Sequence, residues 1–393
     1  MKKCIVVILA AVFLVVLMPT CVGVAKAETV EEQLENQTKS QIEEIDMSEL
    51  ERIAKNADKT LVGETQNTSF RALVESIIDG KTTLSFVDLF NNSGKALAAG
   101  FKRYLPYVSV LVALVLLAAI LNHFKPSFAG SSIGSVVFFS VFAVCVVVCS
   151  GLVFSLVVNV KKSVGNLNEQ MQATFPVLLT LMTASGGAAS VKIYQPAVAV
   201  LSGGVCAIFS QILLPLVSVM FVLIVVSNLS DDVKVDKFCG LCSSAFKWII
   251  GLVGTIFMAY LGVQGMTAAS ADGVSIRTAK YAIKNYVPML GGYISDGFEV
   301  VMASSMLLKN GIGVAALLLL LSSVLVPLFS IVVLSLSLKL VAAVTQPIAD
   351  KKFTSFFAGV SKVLNSLAVV LIGVGLMYFL SVALMIGTAN NIL

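Results

Sequence analysis

Residues 197–228 read AVAVLSGGVCAIFSQILLPLVSVMFVLIVVSN, and this uncharged stretch decides the fold class. As a helix of 32 residues it would reach roughly 48 Å, whereas the hydrocarbon core of a bilayer is about 30 Å thick. Pro215 lies inside the stretch, where a proline removes a backbone hydrogen bond and kinks or breaks a helix. The sequence therefore predicts a membrane-embedded helix that is broken at Pro215.

The whole chain has the composition of a membrane protein. Its 393 residues are 58% hydrophobic and 12% charged, with a mean hydropathy of +0.96, whereas roughly a quarter of the residues in a soluble domain are charged. A second overlong run, 312–345, contains Pro327, and the other apolar runs are 104–121, 133–158, 175–191, 248–265 and 363–388. We predict an all-α, polytopic membrane protein with about 6–8 membrane segments, some of them broken or re-entrant.

The N-terminal part predicts export. Lys2 and Lys3 precede an apolar run that is too short to span a bilayer, and Ala25-Lys26-Ala27 fits a cleavage site, so residues 1–27 are interpreted as a cleaved signal peptide. Residues 28–103 hold 14 acidic and 9 basic residues, a net charge of −5, and no spanning stretch. We predict a small extracytoplasmic helical region there, followed by two transmembrane helices in 104–160. Its best helix has Phe70, Leu73, Val74, Ile77 and Ile78 on one face, Asn67 or Thr68 as the N-cap and Gly80 as the stop.

Two pairs of prolines indicate an internal duplication. Pro215 in ILLPLVSV and Pro327 in VLVPLFSI are 327 − 215 = 112 positions apart, and Pro176 and Pro288 are 288 − 176 = 112 apart. All four are candidate helix breaks.

The duplication divides the membrane region. We predict a first repeat at 170–266 and a second at about 282–388, with an amphipathic connecting region at 267–311 and the remainder of the second repeat in 312–393. The predicted loops 229–247 and 346–362 each carry three lysines, so the positive-inside rule puts both in the cytoplasm and makes the repeats parallel.

The connecting region contains a cluster of charges that needs an explanation. Residues 271–292 read ADGVSIRTAKYAIKNYVPMLGG and include Asp272, Arg277, Lys280 and Lys284. The three cations share one helical face, called here the basic stripe, opposite an apolar face. One interpretation is an interfacial helix whose cations meet lipid phosphates; the other is a contact with an aqueous path or an acidic partner. The candidate counter-charges, just beyond Gly291-Gly292, are Asp296 and Glu299.

Two long strings carry a family resemblance. VQGMTAASADGVSIRTAKYAIKNYVPMLGGYISDGFEVVMASSMLLKNGIG at 263–313 and LLTLMTASGGAAS at 178–190 resemble the stage III sporulation protein AE family of endospore-forming Firmicutes, and the resemblance extends over nearly the whole chain. It implies a multi-pass component of the machine in the mother-cell membrane around the forespore, which resembles secretion systems and is thought to form a channel.

The resemblance also implies partners and the absence of catalysis. The expected partners are the other stage III sporulation proteins (the AA ATPase, AB, AC, AD, AF, AG and AH), indirectly stage II sporulation protein Q, and membrane lipid, with no nucleic acid. No catalytic residue, metal or cofactor comes with the family.

The residues themselves give little support to an enzyme. His123 is the only histidine, and no acidic residue or second histidine stands near it to complete a metal site or a catalytic triad. Cys239 and Cys242 form a CxxC motif, but no second pair completes a zinc site. No GxxxxGK[ST] motif occurs, so ATP-driven work would belong to a partner.

Two other functions remain open from the residues alone. Parallel repeats with broken helices are also typical of a stand-alone secondary transporter, but an ion-coupled transporter usually keeps a buried Asp or Glu in its spans, and the clearest runs here hold essentially none. A structural membrane scaffold within the same complex is the third interpretation.

Overall fold

The structure is a computed structural model that describes residues 30–56, 69–80, 86–123, 131–229, 235–286 and 291–388. The predicted signal peptide and Pro288 lie outside these residues. The described part is helical throughout, without a strand, which confirms the all-α prediction.

Eleven α-helices follow one another in the described residues. Three short ones are α1 (Val30–Glu44), α2 (Ser48–Asn56) and α3 (Phe70–Ile78). The remaining ones are α4 (Phe86–His123), α5 (Ser131–Ala184), α6 (Ala188–Ala199), α7 (Cys206–Ile208), α8 (Leu214–Leu229), α9 (Asp236–Tyr286), α10 (Gly291–Thr345) and α11 (Lys351–Gly387). Two π-helical segments, Val200–Val205 and Phe209–Leu213, connect α6, α7 and α8 into one helical stretch.

Six stretches of these helices are long and apolar enough to cross a membrane: Leu97–Ile120, Phe138–Ala184, Ala188–Leu229, Asp236–Gln264, Ser295–Thr345 and Lys351–Gly387. This confirms the prediction of a polytopic helical membrane protein.

The antiparallel pair of α10 and α11 forms the centre of the bundle. Glycines let the two backbones approach closely: a Cβ on Gly375 would lie 2.9 Å from Val324, and one on Gly313 would lie 2.4 Å from Ile386. At the other end of α11, Phe353 and Phe356 pack edge to face on Phe142 of α5, with ring centroids 5.8 and 5.2 Å apart. Small residues and interlocking rings thus fix the depth of α11 against both neighbours.

Two of the four prolines that are candidate helix breaks lie inside continuous helices. Pro176 lies inside α5 and Pro327 inside α10; a kink at either position stays a prediction. Pro215 is the second residue of α8, directly after a π-helical segment where the hydrogen-bond register changes. Within a bundle, neighbouring helices and local changes of helix type compensate for the hydrogen bond that a proline removes.

A different residue ends α5. Gly186 has φ +91°, its amide donates to the Thr183 carbonyl (3.0 Å), and the Gly187 amide donates to the Met182 carbonyl (2.7 Å). This is a Schellman C-cap, which needs a left-handed residue that glycine adopts at no steric cost. Runs 133–158 and 175–191, predicted as separate segments, therefore share the 54-residue helix α5 up to this turn. The position 112 residues later lies inside α10; the internal duplication stays a prediction.

Two smaller features also differ from the sequence interpretation. Ser69 caps α3, its hydroxyl accepting the Ala72 amide at 3.3 Å, whereas the predicted N-caps Asn67 and Thr68 lie outside the described residues. The lysine-bearing loops are shorter than predicted, because α9 begins at Asp236 and α11 at Lys351. The Asp350 carboxylate, which accepts the Lys352 amide at 2.9 Å, caps α11 and explains this early start.

The three N-terminal helices, α1 to α3, contact the rest of the bundle. Ser305 of α10 donates to Gln41 of α1 at 3.2 Å, and a Cβ on Gly311 would lie 2.8 Å from Ile78 of α3. The apolar stripe of α3 that includes Val74 and Ile78 therefore faces α10 rather than forming a separate core.

Candidate functional site

One charged side chain lies deep inside the bundle. Lys309 of α10 has no exposed surface, and it is the only buried charged residue in the described part of the chain. It belongs to the candidate span Ser295–Thr345. A charge in a membrane helix is costly, about 2.5 to 3.5 kcal/mol at mid-bilayer on insertion scales, so it marks a candidate functional site.

Lys309 is held by the C-terminal end of α11. Its ammonium group donates to the carbonyl of Thr388, the C-cap of that helix. The last carbonyls of a helix have no partner within the helix and carry the negative end of its dipole, so a cation is favourable there. The contact pins the end of the last helix against α10.

Thr388 extends the contact to a third helix. Its hydroxyl donates to the Leu384 carbonyl at 2.7 Å and therefore has no proton left for Tyr194, whose hydroxyl lies 2.9 Å away. Tyr194 of α6 must donate, and its own oxygen can still accept a hydrogen bond. Lys309, Thr388 and Tyr194 thus form a chain across α10, α11 and α6, which we call the lysine cluster.

A cavity lies beside the lysine cluster. It is small, with room for roughly one water molecule, and is lined by Phe175, Tyr194, Val198, Leu201, Leu261, Gln264, Ser381 and Met385. Gln264 of α9, only 2% exposed, donates from Nε2 to the Ile193 carbonyl at 2.9 Å, while its Oε1 has no hydrogen-bond partner. Leaving a buried carbonyl oxygen unpaired costs about 1–3 kcal/mol, so the site is suited to a small hydrogen-bond donor such as one water molecule.

A second polar group lies in the same bundle. Gln170 of α5 donates to Ser323 of α10 at 2.7 Å, and the hydroxyls of Thr174 and Tyr378 are 2.9 Å apart. Gln170 is 2% exposed and its Oε1 also lacks a partner. The bundle interior is therefore polar at several points where three helices meet.

These side chains can hold, orient and exchange hydrogen bonds. Among the described residues, no three His, Cys, Asp or Glu side chains come together as metal ligands. The contacts that these side chains make are hydrogen bonds, which join α5, α6, α9, α10 and α11 to one another.

Comparison with known proteins identifies the family. The model of the family described as Stage III sporulation protein AE matches residues 68–389. The chain belongs to the stage III sporulation protein AE family. A curated relative, "Stage III sporulation protein AE" of Bacillus subtilis (strain 168), is 27% identical over 285 residues, which cover 72% of this chain and 71% of the relative. No solved structure matches. Family membership implies a role in sporulation.

The site residues predicted from the sequence are not members of the lysine cluster. Asp272, Arg277, Lys280 and Lys284 belong to the C-terminal part of α9, which continues unbroken from the span that begins at Asp236, and their side chains are outside the described set. Asp296 and Glu299 are exposed on the second and third turns of α10. The predicted connecting helix is thus an extension of α9.

The sequence interpretation missed Lys309, Tyr194 and Gln264. One signal was available: in 300–345, Lys309 and Lys339 are the only charged residues. Lys309 fell within the predicted connecting region 267–311, so it was not interpreted as a charge inside a span. Nothing in the sequence distinguishes Tyr194 or Gln264 from the other polar residues of the chain.

Cys239 and Cys242 lie half-buried in the first turns of α9, both as free thiols. We expect the double substitution Cys239→Ser/Cys242→Ser to leave the number of heat-resistant spores near that of the wild type, because the positions 239 and 242 share a helix face without other ligands. The measurement is a spore count at equal protein abundance. A severe loss there would contradict the interpretation and indicate a redox or metal role.

Proposed function

We propose that this member of the stage III sporulation protein AE family is a non-enzymatic subunit of a secretion-like channel complex, located in the mother-cell membrane around the forespore and required for sporulation. The observation that carries the proposal is the family match over residues 68–389. The six candidate spans support a place within a membrane assembly.

The buried side chains favour a passive role for this subunit. The lysine cluster uses its charge to hold a helix end, and the sequence has no nucleotide-binding motif. Energy for transport would therefore come from a partner, expected to be the AA ATPase, with AB, AC, AD, AF, AG and AH as further subunits and protein Q as an indirect partner.

A stand-alone secondary transporter is the weaker alternative. Coupling to protons or sodium ions usually needs a buried carboxylate, whereas the buried charge within the described spans is Lys309, whose ammonium group donates to a backbone carbonyl. A structural scaffold in the same complex would share the fold and differ only in whether a path passes along the subunit.

The basic stripe is the region where the proposal can be tested. If Arg277 contacts a path or an acidic partner, Arg277→Glu should reduce sporulation most, Arg277→Ala less and Arg277→Lys least, because lysine keeps the charge but not the planar, bidentate guanidinium. Lys280→Gln and Lys284→Gln should be milder. Heat-resistant spores are counted in strains with equal amounts of membrane-inserted protein.

The matched control is Lys192→Glu, the same change of charge at an exposed lysine of α6, which we expect to be tolerated. An interfacial lipid anchor would lose only about 1 kcal/mol per cation and would tolerate Arg277→Ala. Normal sporulation of that variant would refute the partner or path contact and leave an interfacial helix.

Orientation gives an independent prediction. In a chain without native cysteines, single cysteines at Lys237 and Lys351 should be shielded from an impermeant external thiol reagent, because both flank the predicted cytoplasmic turns. A cysteine at the exposed Glu35 of α1 should react. Labelling of Lys237→Cys and Lys351→Cys from outside would show that the topology is the reverse of the predicted one.

A further inference from the structure

The last span of the chain indicates which level of the bundle lies in the bilayer. α11 begins with a segment that contains Lys351, Lys352 and Lys362, and it has no charged residue from 363 to 387. Only this second part is uncharged over the roughly 20 residues that a hydrocarbon core requires. Its large exposed side chains are apolar, namely Val369, Ile372, Leu376 and Phe379. The hydrocarbon core therefore belongs at this level of α11.

Two neighbouring helical segments agree with this level. Leu201 of a π-helical segment, Leu261 of α9 and Met385 of α11 line one cavity, so they lie side by side. Val200 and Val263, close to the first two in the sequence, are exposed and apolar. Lipid can therefore contact three different parts of the bundle at this level.

The same level of α5 has a different surface. The Thr174 and Tyr378 hydroxyls are 2.9 Å apart, and the Phe175 and Tyr378 rings are 5.7 Å apart, so this part of α5 lies beside the middle of the uncharged stretch of α11. Within about ten residues on either side, or roughly 15 Å, the exposed residues of α5 are charged, polar or compact. We call them the polar face: Gly165, Asn166, Glu169, Gln172, Pro176, Thr180, Thr183 and Ala184.

A charged helix lies against the polar face. Arg52 of α2 is 3.6 Å from Glu169, and the two side chains are 53% and 57% exposed. Arg52 also pairs with Glu49 of its own helix at 2.9 Å. Glu169 precedes Thr174 by five residues, which is roughly 8 Å along the helix. Charged side chains at such a depth almost always face protein or water, because a charge that faces lipid is costly.

A bilayer at a lower level of the bundle fits less well. α5 exposes the apolar Val147 before the polar face, and Phe142 in the same region packs on Phe353 of α11. At that level, however, α11 exposes Lys351 and Lys362. Lipid around this part of the bundle would have to accommodate both lysines, which favours the upper level.

We propose that the polar face of α5 borders a water-filled space at the level of the hydrocarbon core, and that this space is continuous with the water around α1 and α2. The subunit then has a lipid side, which includes Leu376, and a water side, which includes Gln172. The use of the water side as part of a transport path rests on the channel role proposed above, whereas the presence of water does not.

Labelling rates at two positions of one level test for water. Single cysteines replace Gln172 or Leu376 in a full chain whose native cysteines are alanine, in membranes of sporulating cells opened by sonication so that a water-soluble maleimide reaches both surfaces. Gln172→Cys should react like Glu35→Cys at an exposed position of α1. Leu376→Cys should react at least about tenfold more slowly, since only the thiolate reacts and hydrocarbon disfavours a charge.

Rates are compared at equal protein abundance. Fast labelling at both positions would place this level outside the bilayer, and slow labelling at both would put lipid against α5. Either result would overturn the proposal.

Sporulation tests the use of the water side separately. Gln172→Trp/Thr180→Trp would place two bulky rings in the water-filled space and should reduce the number of heat-resistant spores at normal protein abundance. The matched control, Ile372→Trp/Leu376→Trp on the exposed apolar face of α11, should be tolerated. Fast labelling of Gln172→Cys together with normal sporulation of the first double variant would support the water-filled space and refute its use as a path.

Discussion

Lys309→Glu should reduce the free energy of unfolding by about 4 kcal/mol or more, enough to prevent accumulation of the protein in the membrane, since net stabilities are only about 5–15 kcal/mol. The glutamate would set a carboxylate against the Thr388 carbonyl at the negative end of α11, where the wild type has a donor. Neither group could then be satisfied, and a buried charge would lack its partner. Protein abundance and thermal unfolding in detergent measure the loss.

The matched control is Lys339→Glu, the same substitution at an exposed lysine of the same helix. It should cost about 1 kcal/mol or less, because Lys339 lies six residues before the end of α10 at Thr345, where a long charged side chain can extend to the membrane–water interface. Equal behaviour of the two variants would show that Lys309 is not held as the structure describes.

Lys309→Met separates stability from function. Methionine is apolar and unbranched, so the desolvation cost of the ammonium group disappears. The Thr388 carbonyl loses its donor, which costs about 1–3 kcal/mol, so the loss of stability should be smaller than in Lys309→Glu. If the lysine cluster only fixes the end of α11, sporulation should remain close to normal in this variant. A strong sporulation defect at normal abundance would show that the charge itself is used.

The helical, polytopic fold could be predicted because apolar composition and run length follow directly from bilayer thickness. The course of α5 could not. Residues 159–174 are polar enough to suggest a loop between two spans, and only the packing of Val160, Val164, Leu167 and Met171 reveals that they continue one helix. These apolar residues recur with the spacing of a helix face, but the mean hydropathy of the segment does not show that spacing.

The turn at the end of α5 could not be predicted from the prolines. Proline was expected to kink or break helices, and α5 and α10 continue as helices through Pro176 and Pro327. The turn lies at Gly186, because its positive φ completes a C-cap. Proline inside a membrane helix removes one hydrogen bond, which neighbouring groups can compensate. A left-handed glycine changes the direction of the chain.

The candidate site was less predictable than the fold. The basic stripe is visible in the sequence because its charges are close together, whereas the lysine cluster joins residues 194, 309 and 388, which only the folded bundle brings together. In the sequence, Lys309 stands at the end of a polar segment. In the folded bundle, α10 places it level with the end of α11. Long-range contacts of this kind leave no local pattern in one sequence.

Gly313→Leu should lower the free energy of unfolding by about 3 kcal/mol, the upper part of the range for overpacking a core. A Cβ at this position would lie 2.4 Å from Cγ1 and 2.6 Å from Cδ1 of Ile386. Cγ1 moves only if χ1 changes, and a β-branched side chain in a helix has one strongly preferred χ1. The helices α10 and α11 must therefore separate, which is measured as a loss of thermal stability in detergent.

The same separation should disturb the lysine cluster. Gly313 lies one helical turn after Lys309, and Ile386 lies two residues before Thr388, so the close approach at Gly313 sets the distance across which Lys309 reaches the Thr388 carbonyl. Gly313→Leu/Ile386→Ala should recover part of the stability, because the alanine removes the atoms that collide. Gly251→Leu, at an exposed position of α9 with no atom within 4 Å of the new Cβ, is the control and should be neutral or slightly stabilising. If Gly313→Leu is as harmless as that control, the tight packing of α10 on α11 is not what holds the end of α11 in reach of Lys309.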